Sequence, residues 1–454
     1  MREGSNHSRA VAREGASVAA DCPERLEPDF SMAGTLRRAT FESSARGAIG
    51  HRSVETLARA TATTLLAAML LLWARAAAGS CTEPVATRLI PLPVWATLPN
   101  EGDTWGAMPV FLRVCPNNQR TESIIAPSTT WNSVIHYTGT FRWYHYPSDD
   151  TTFTFVGSVS TRINYNALVW WQKLPIQPGV WTDEVMLRLQ RSAFFRFFGL
   201  GPDTPETAET SYTGRRAFVT ARRGLNIARH LNLGASIGIE RDGVEGIGVP
   251  GLPLARDVFA EAPGMRGATL LWQGASLRYD DRKGGDNAER GSRMELSAAV
   301  VEGLAGSPAF WRAGAQASTI LPELGWVTGA ARFAWTAVTS GQAPFYQQSR
   351  LGGSFVLRGF TLDRFIDRQA WTAEVEQRIR VLRTHVYGVE ADWRVDPFIT
   401  AGQVFGAFDD ALSRPRLAAG LGLRAFVRPN VLGRIDLAVG GEGLKVYVEI
   451  GYPY

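Results

Sequence analysis

The chain has 454 residues, 48 basic and 43 acidic side chains for a formal charge of +5, and 46 glycines. Beyond residue 80 no stretch approaches the ~20 apolar residues of a spanning helix, which excludes a helical membrane bundle. The positive charge, almost all arginine, is spread along the chain rather than gathered on one stripe, so no nucleic-acid footprint is read.

Residues 1–50 are polar, rich in Arg, Glu, Ser and Ala, and carry no periodic apolar face from which to build a core. They are expected to be disordered or an extension from a misassigned start, with Met32 as an alternative start. Residues 51–78 read as a secretory signal peptide. Arg52 and Arg59 precede an apolar run from Ala60 to Ala74, and Ala76 and Ala78 fit the small-x-small cleavage pattern. A buried helix and a lipoprotein anchor at Cys81 compete with this reading. The run is apolar on nearly all sides, and Ala78 stands where lipoprotein signals usually carry Leu. Cleavage would remove Cys22 and leave Cys81 and Cys115 in an oxidising compartment, where a disulfide between them is permitted and stays open.

From residue 85 the sequence reads as segments of about ten residues alternating apolar and polar, broken by Gly, Pro, Asp and Asn clusters. Strands are expected near 86–98, 104–114, 132–146, 151–172, 184–198, 211–223, 228–240 and 267–281. The remainder fall near 292–302, 309–320, 325–338, 369–381, 395–405, 415–427, 431–440 and 444–454. The fold class is therefore all-β, a transmembrane antiparallel barrel of about sixteen strands that consumes residues 79–454. The last strand shows the pattern best. Leu444, Val446, Val448, Ile450, Tyr452 and Tyr454 share one face, while Lys445, Tyr447, Glu449 and Gly451 share the other. One strand earlier, Arg434, Asp436 and Ala438 oppose Ile435, Leu437 and Val439. In the strand near 369–381, Thr372, Glu374, Glu376, Arg378 and Arg380 line one face. Five such residues in register would be costly in a dry core, and a wet lumen removes that cost. A large soluble sheet with one solvated face is the competing architecture.

Several peptides, in order, resemble the BamA/TamA-like family of outer-membrane barrels (bacterial surface antigen). They are PLPVWATLPNEGDTWGA, FFGLGPDTPETAETSY at 197–212, LRYDDRKGGDNAERGSRMELS at 277–297 and PFYQQSRLGGSFVLRGF at 344–360. The resemblance covers residues 85–454. It implies that Arg358, Gly359 and Phe360 belong to an extracellular loop folded into the lumen, with Glu376 and Glu374 as partners of Arg358. At an effective dielectric of about 20, an ion pair at ~4 Å gains about 4 kcal/mol before desolvation, enough to bias a loop's position. The chain departs from the family at Thr400, where an Asp is usual, which removes one expected charge partner. It also encodes no periplasmic POTRA module between Ala78 and the first strand, as expected of a barrel-only member. The resemblance further implies a C-terminal assembly signal at Tyr452 and Tyr454, read by the barrel assembly machinery during biogenesis.

Two functions follow as expectations. One is an assembly or translocation role in which a poorly paired seam between first and last strands helps protein or lipid cross or insert. Pro91, Pro93 and Pro453 would thin that seam, unless they only mark strand ends. The alternative is a passive or gated pore with the inward loop as plug. Expected partners are outer-membrane lipid and a separate periplasmic protein, with no nucleic acid. Localisation is the bacterial outer membrane. No cofactor, metal or catalytic residue is expected, because His136, His145, His230 and His385 are isolated and no Gly-x-Ser-x-Gly elbow or metal-type His pair occurs.

Overall fold

The computed structural model describes residues 84–115, 121–283, 288–386, 389–427 and 431–450. The expected extension and leader at 1–78, and Tyr452, Pro453 and Tyr454, lie outside the described residues. The strands of the first half are β1 (Ala86–Leu98), β2 (Gly102–Val114), β3 (Thr121–Ile125), β4 (Ser128–Asn132), β5 (His136–Ser148), β6 (Thr151–Ser160), β7 (Tyr165–Lys173), β8 (Trp181–Phe197), β9 (Thr210–Ala228) and β10 (Leu231–Glu245). Those of the second half are β11 (Ala268–Asp280), β12 (Gly291–Leu304), β13 (Phe310–Leu324), β14 (Val327–Val338), β15 (Ser349–Leu351), β16 (Phe365–Asp367), β17 (Gln369–Val386), β18 (Val389–Phe405), β19 (Arg416–Val427), β20 (Val431–Gly440) and β21 (Gly443–Ile450).

All but β15 and β16 join one antiparallel sheet in which chain neighbours pair and β21 returns to β1. Closure is how a spanning β structure avoids an open edge in lipid, and here the closing contact is the β1/β21 seam. β3 and β4 pair with the same two neighbours, β2 and β5, and are halves of one strand interrupted at Ala126–Pro127. Counted so, the described residues form a barrel of eighteen strands, an even number and two more than the sixteen or so expected.

The two extra strands have identifiable causes. The broken β3/β4 strand is too short in each half to show a period. The hairpin between β6 and β7 turns at residues 161–164, Thr-Arg-Ile-Asn, with Ile163 in the left-handed region (φ 58°). A β-branched residue there carries none of the Gly or Pro punctuation by which a turn is read, so 151–172 reads as one strand.

The outer face is apolar and belted by aromatics. Trp95, Trp105, Trp131 and Tyr137 are in register across four neighbouring strands and all exposed, with the rings of Trp95 and Trp105 stacked at 5.4 Å. Trp181 and Trp326 are exposed at the opposite end of the wall. Two such girdles mark the two water interfaces of a bilayer.

The inner face is not uniform. Along β17 to β21 it is charged, as the alternation predicts. Along β1 to β3 it is apolar: Ile90, Met108, Val110, Leu112, Val114 and Ile124 form a buried cluster with Tyr146. Both faces of these strands are therefore apolar, and the polar/apolar alternation expected from residue 85 does not hold there. Cys115, just beyond β2, is disulfide-bonded; Cys81, its expected partner, lies outside the described residues.

Candidate functional site

The connection between β14 and β17, residues 339–368, folds inward around the two-stranded ribbon β15/β16. Its apex is dry. Leu351, Leu357, Phe360 and Phe365 cluster with Ala370, Val404 and Ala418 of the wall. Gly359 is required at the apex, since its φ is +115° and a Cβ there would meet the Cβ of Ala418 at 2.7 Å.

Arg358 is fully buried at the centre of this contact. Its Nε donates to Glu374 at 3.1 Å and its Nη2 to Glu376 at 2.9 Å, while Nη1 lies 3.3 Å from Asp436. The guanidinium sits over the ring of Phe398, 3.4 Å from its centroid. Glu374 and Glu376 are two apart on β17 and so share a face, which is why one guanidinium reaches both. Thr400 pairs with Glu374 across the β17/β18 ladder, and its buried hydroxyl has no hydrogen-bond partner. Asp436 on β20 supplies a third carboxylate where the resemblance had left one missing. The signal was present in the sequence, because Arg434 and Asp436 already shared the charged face of that strand.

The pair extends into a lattice. Arg424 donates to Asp436 at 2.6 Å and approaches Asp396 at 3.3 Å and Glu376 at 3.5 Å. Arg378 donates to Glu376 at 3.0 Å, and Arg434 bridges Asp436, Glu449 and the carbonyl of Ser354 on the loop. Each buried charge thus has opposite charges beside it, the condition under which buried ions are tolerated at all. Tyr447 of β21 completes the contact: its hydroxyl accepts the Gly359 N–H at 3.0 Å and donates to the Phe360 carbonyl at 2.7 Å.

The other peptides quoted from the sequence meet this loop or close a turn. In the segment beginning at Phe197, that ring packs on Phe345 of the loop at 4.4 Å, and Gly201 bridges to Ile366. Arg364 of the loop donates to Thr204 and to Glu442. After β11, Asp281 accepts the Ser292 N–H at 2.6 Å and the Tyr279 hydroxyl at 2.9 Å. The Ser292 amide, foremost, holds the Asp281 carboxyl below the usual range. Among the described residues no cluster of His, Cys, Asp and Glu could hold a metal ion.

The barrel closes between β1 and β21, where Thr97 and Val448 are in register; the same register sets Trp95–Leu98 opposite the described end of β21. The prolines bear on the rest of β1. Ala126 donates to Arg142 of β5 at 2.9 Å. N–H groups alternate sides along a strand, so the nitrogen of Pro127 faces β2. The registers on either side of the break place it opposite Pro109, whose nitrogen therefore faces Pro127. Pro91 pairs with Pro109, so its own nitrogen points away from β2, into the seam, and Pro93 points the same way. Both lie inside β1 rather than at its ends, and neither has an N–H to offer to the seam.

These features can now be set beside known proteins. The Omp85 superfamily domain matches residues 175–440, more than half of the chain and the whole of the loop with the charged strands β17 to β20. The chain belongs to the Omp85 superfamily. Among solved structures it is similar to BamA from Haemophilus ducreyi lacking POTRA domains 1-3, at 13% identity over 81% of this chain and 75% of that chain, with a TM-score of 0.51. It is also similar to CdiB from Escherichia coli, at 13% identity over 81% of this chain and 67% of that one, with a TM-score of 0.45. No curated protein matches the sequence. At such identities the likeness is one of fold, and the BamA/TamA-like barrel expected from the sequence is the fold observed. An Omp85-type barrel is a bacterial outer-membrane protein, which agrees with the girdled wall.

Proposed function

We propose that this Omp85 barrel aids insertion or translocation of protein or lipid at the outer membrane, and that the β1/β21 seam is where the client engages. The supporting observation is that two prolines inside β1, Pro91 and Pro93, turn nitrogens without a proton into the seam. An unsatisfied strand edge within hydrocarbon is costly, and an incoming strand or a disordered patch of lipid relieves that cost. Export through the signal peptide at 51–78 and cooperation with a separate periplasmic protein belong to this reading. So does the absence of intrinsic enzyme activity.

The test is to staple the seam. Thr97→Cys with Val448→Cys places thiols on the paired residues. In liposomes, catalysed folding of a reporter barrel should fall at least tenfold when this bond is oxidised and recover on reduction. Equal catalysis in both states would overturn the proposal. Large, steady single-channel openings that persist in the stapled protein would favour the pore reading instead. The inserted loop speaks against such openings, since it occupies the lumen that a pore needs.

A further inference from the structure

The inserted loop does not fill the lumen. Between it and the wall lies a cavity of about 270 Å3. Arg188, Arg216, Arg312 and Arg332 line it from β8, β9, β13 and β14, and Arg350 with Asp363 line it from the loop. Among its lining residues five are arginines and one is a carboxylate, and the remaining polar groups include the neutral amides of Gln190, Gln347 and Gln348. The guanidiniums are held in place. Arg216 lies 2.9 Å from both Glu240 and Asp242, and Arg350 lies 2.9 Å from Asp363. Arg312 donates to the Gln347 carbonyl oxygen at 3.0 Å, and Arg188 to that of Asn166 at 3.3 Å.

We propose that this cavity binds a phosphate-bearing anion, supplied by a lipid headgroup or by a small soluble phosphate, and that the anion clamps the loop to the wall. Three physical points carry it. A guanidinium offers planar paired donors that match phosphate oxygens, and several converging on one space select for multiple negative charge. Donors already fixed by neighbours pay little further ordering cost when the anion arrives. Size limits the ligand, since this volume lies just below the usual range of small-molecule sites, about 300–1,000 Å3, and leaves no room for a polypeptide. Because wall and loop both contribute arginines, anion affinity and loop insertion must favour one another by the same factor.

The experiment uses the full chain folded in dodecyl maltoside and stripped of lipid, with inorganic pyrophosphate as the probe in equilibrium dialysis. Saturable one-to-one binding is expected. Arg312→Gln and Arg332→Gln should each weaken it about tenfold, whereas Arg223→Gln, an equal charge change at an exposed site beside Asp183, should leave it unchanged. The heat-dependent shift in gel mobility of folded barrels shows that each variant has folded. The probe should also slow proteolysis between Gly353 and Asp363. Binding that appears only after lipid removal, with phospholipid or lipid A co-purifying in stoichiometric amount, identifies a headgroup as the source. Binding that is the same with lipid present identifies a soluble phosphate. The proposal is overturned if the stripped, folded protein shows no saturable binding, or if Arg312→Gln and Arg332→Gln bind as the unaltered chain does.

Discussion

β17 to β21 and β1 to β3 are two stretches of one wall, and they are built from different interactions. The first carries Arg378, Arg424 and Arg434 interleaved with Glu374, Glu376, Asp396 and Asp436 on its inner face, and a loop bonded across it through Arg358. The second carries a largely aliphatic inner face, Ile90, Met108, Val110, Leu112, Val114 and Ile124, and on its outer face Pro91 lies opposite Pro109. Charge-assisted hydrogen bonds are directional and fix position. Apolar contact is non-directional and scales with area, so it survives small slides. The contrast teaches that one barrel can have a wall made to hold and a wall made to yield, with the seam at their junction.

The sharpest way to break that comparison is Arg358→Ala. It leaves Glu374, Glu376 and Asp436 buried beside a missing cation, and removing one partner of a buried ion pair costs about 3–5 kcal/mol. The urea midpoint of the protein folded into vesicles should fall accordingly, and the loop should become open to protease. An unchanged midpoint would mean that the lattice is ornament and that the holding wall is held by its ladders alone. Tyr447→Phe is expected to cost less, about 1–3 kcal/mol, because it leaves the Gly359 N–H and the Phe360 carbonyl buried without their partner. The same urea titration measures it. The smallest effect tests the yielding wall: Pro91→Ala with Pro93→Ala restores two donors on the seam side of β1, worth about 1 kcal/mol each if they are used. Amide exchange along β1 should then slow several-fold. Exchange that stays as fast would show that something other than the prolines keeps the seam open.

The holding wall was legible throughout and the yielding wall only in part, for a physical reason. Strands such as β17 and β20 separate hydrocarbon from charge, so Glu374, Glu376, Arg434 and Asp436 announce their face in sequence. β1 and β2 were legible at 86–98 and 104–114, although their two faces are both largely apolar and the period is muted. The broken β3/β4 strand was lost, and the Ile163 turn, without Gly or Pro, hid a second strand. In the loop, Arg358, Glu374 and Glu376 could be named together from a motif and a shared strand face. Asp436, Phe398 and Tyr447 reach Arg358 and Gly359 only through the curved wall of the barrel, across 40 to 88 residues of chain that no local pattern spans.

Tyr447 has one more consequence. It belongs to β21, so the hydroxyl that grips the loop apex rides on the strand that closes the barrel against β1. Under the proposed function plug and door are fastened to the same post: whatever pried the edge apart would also begin to uncork the lumen behind it.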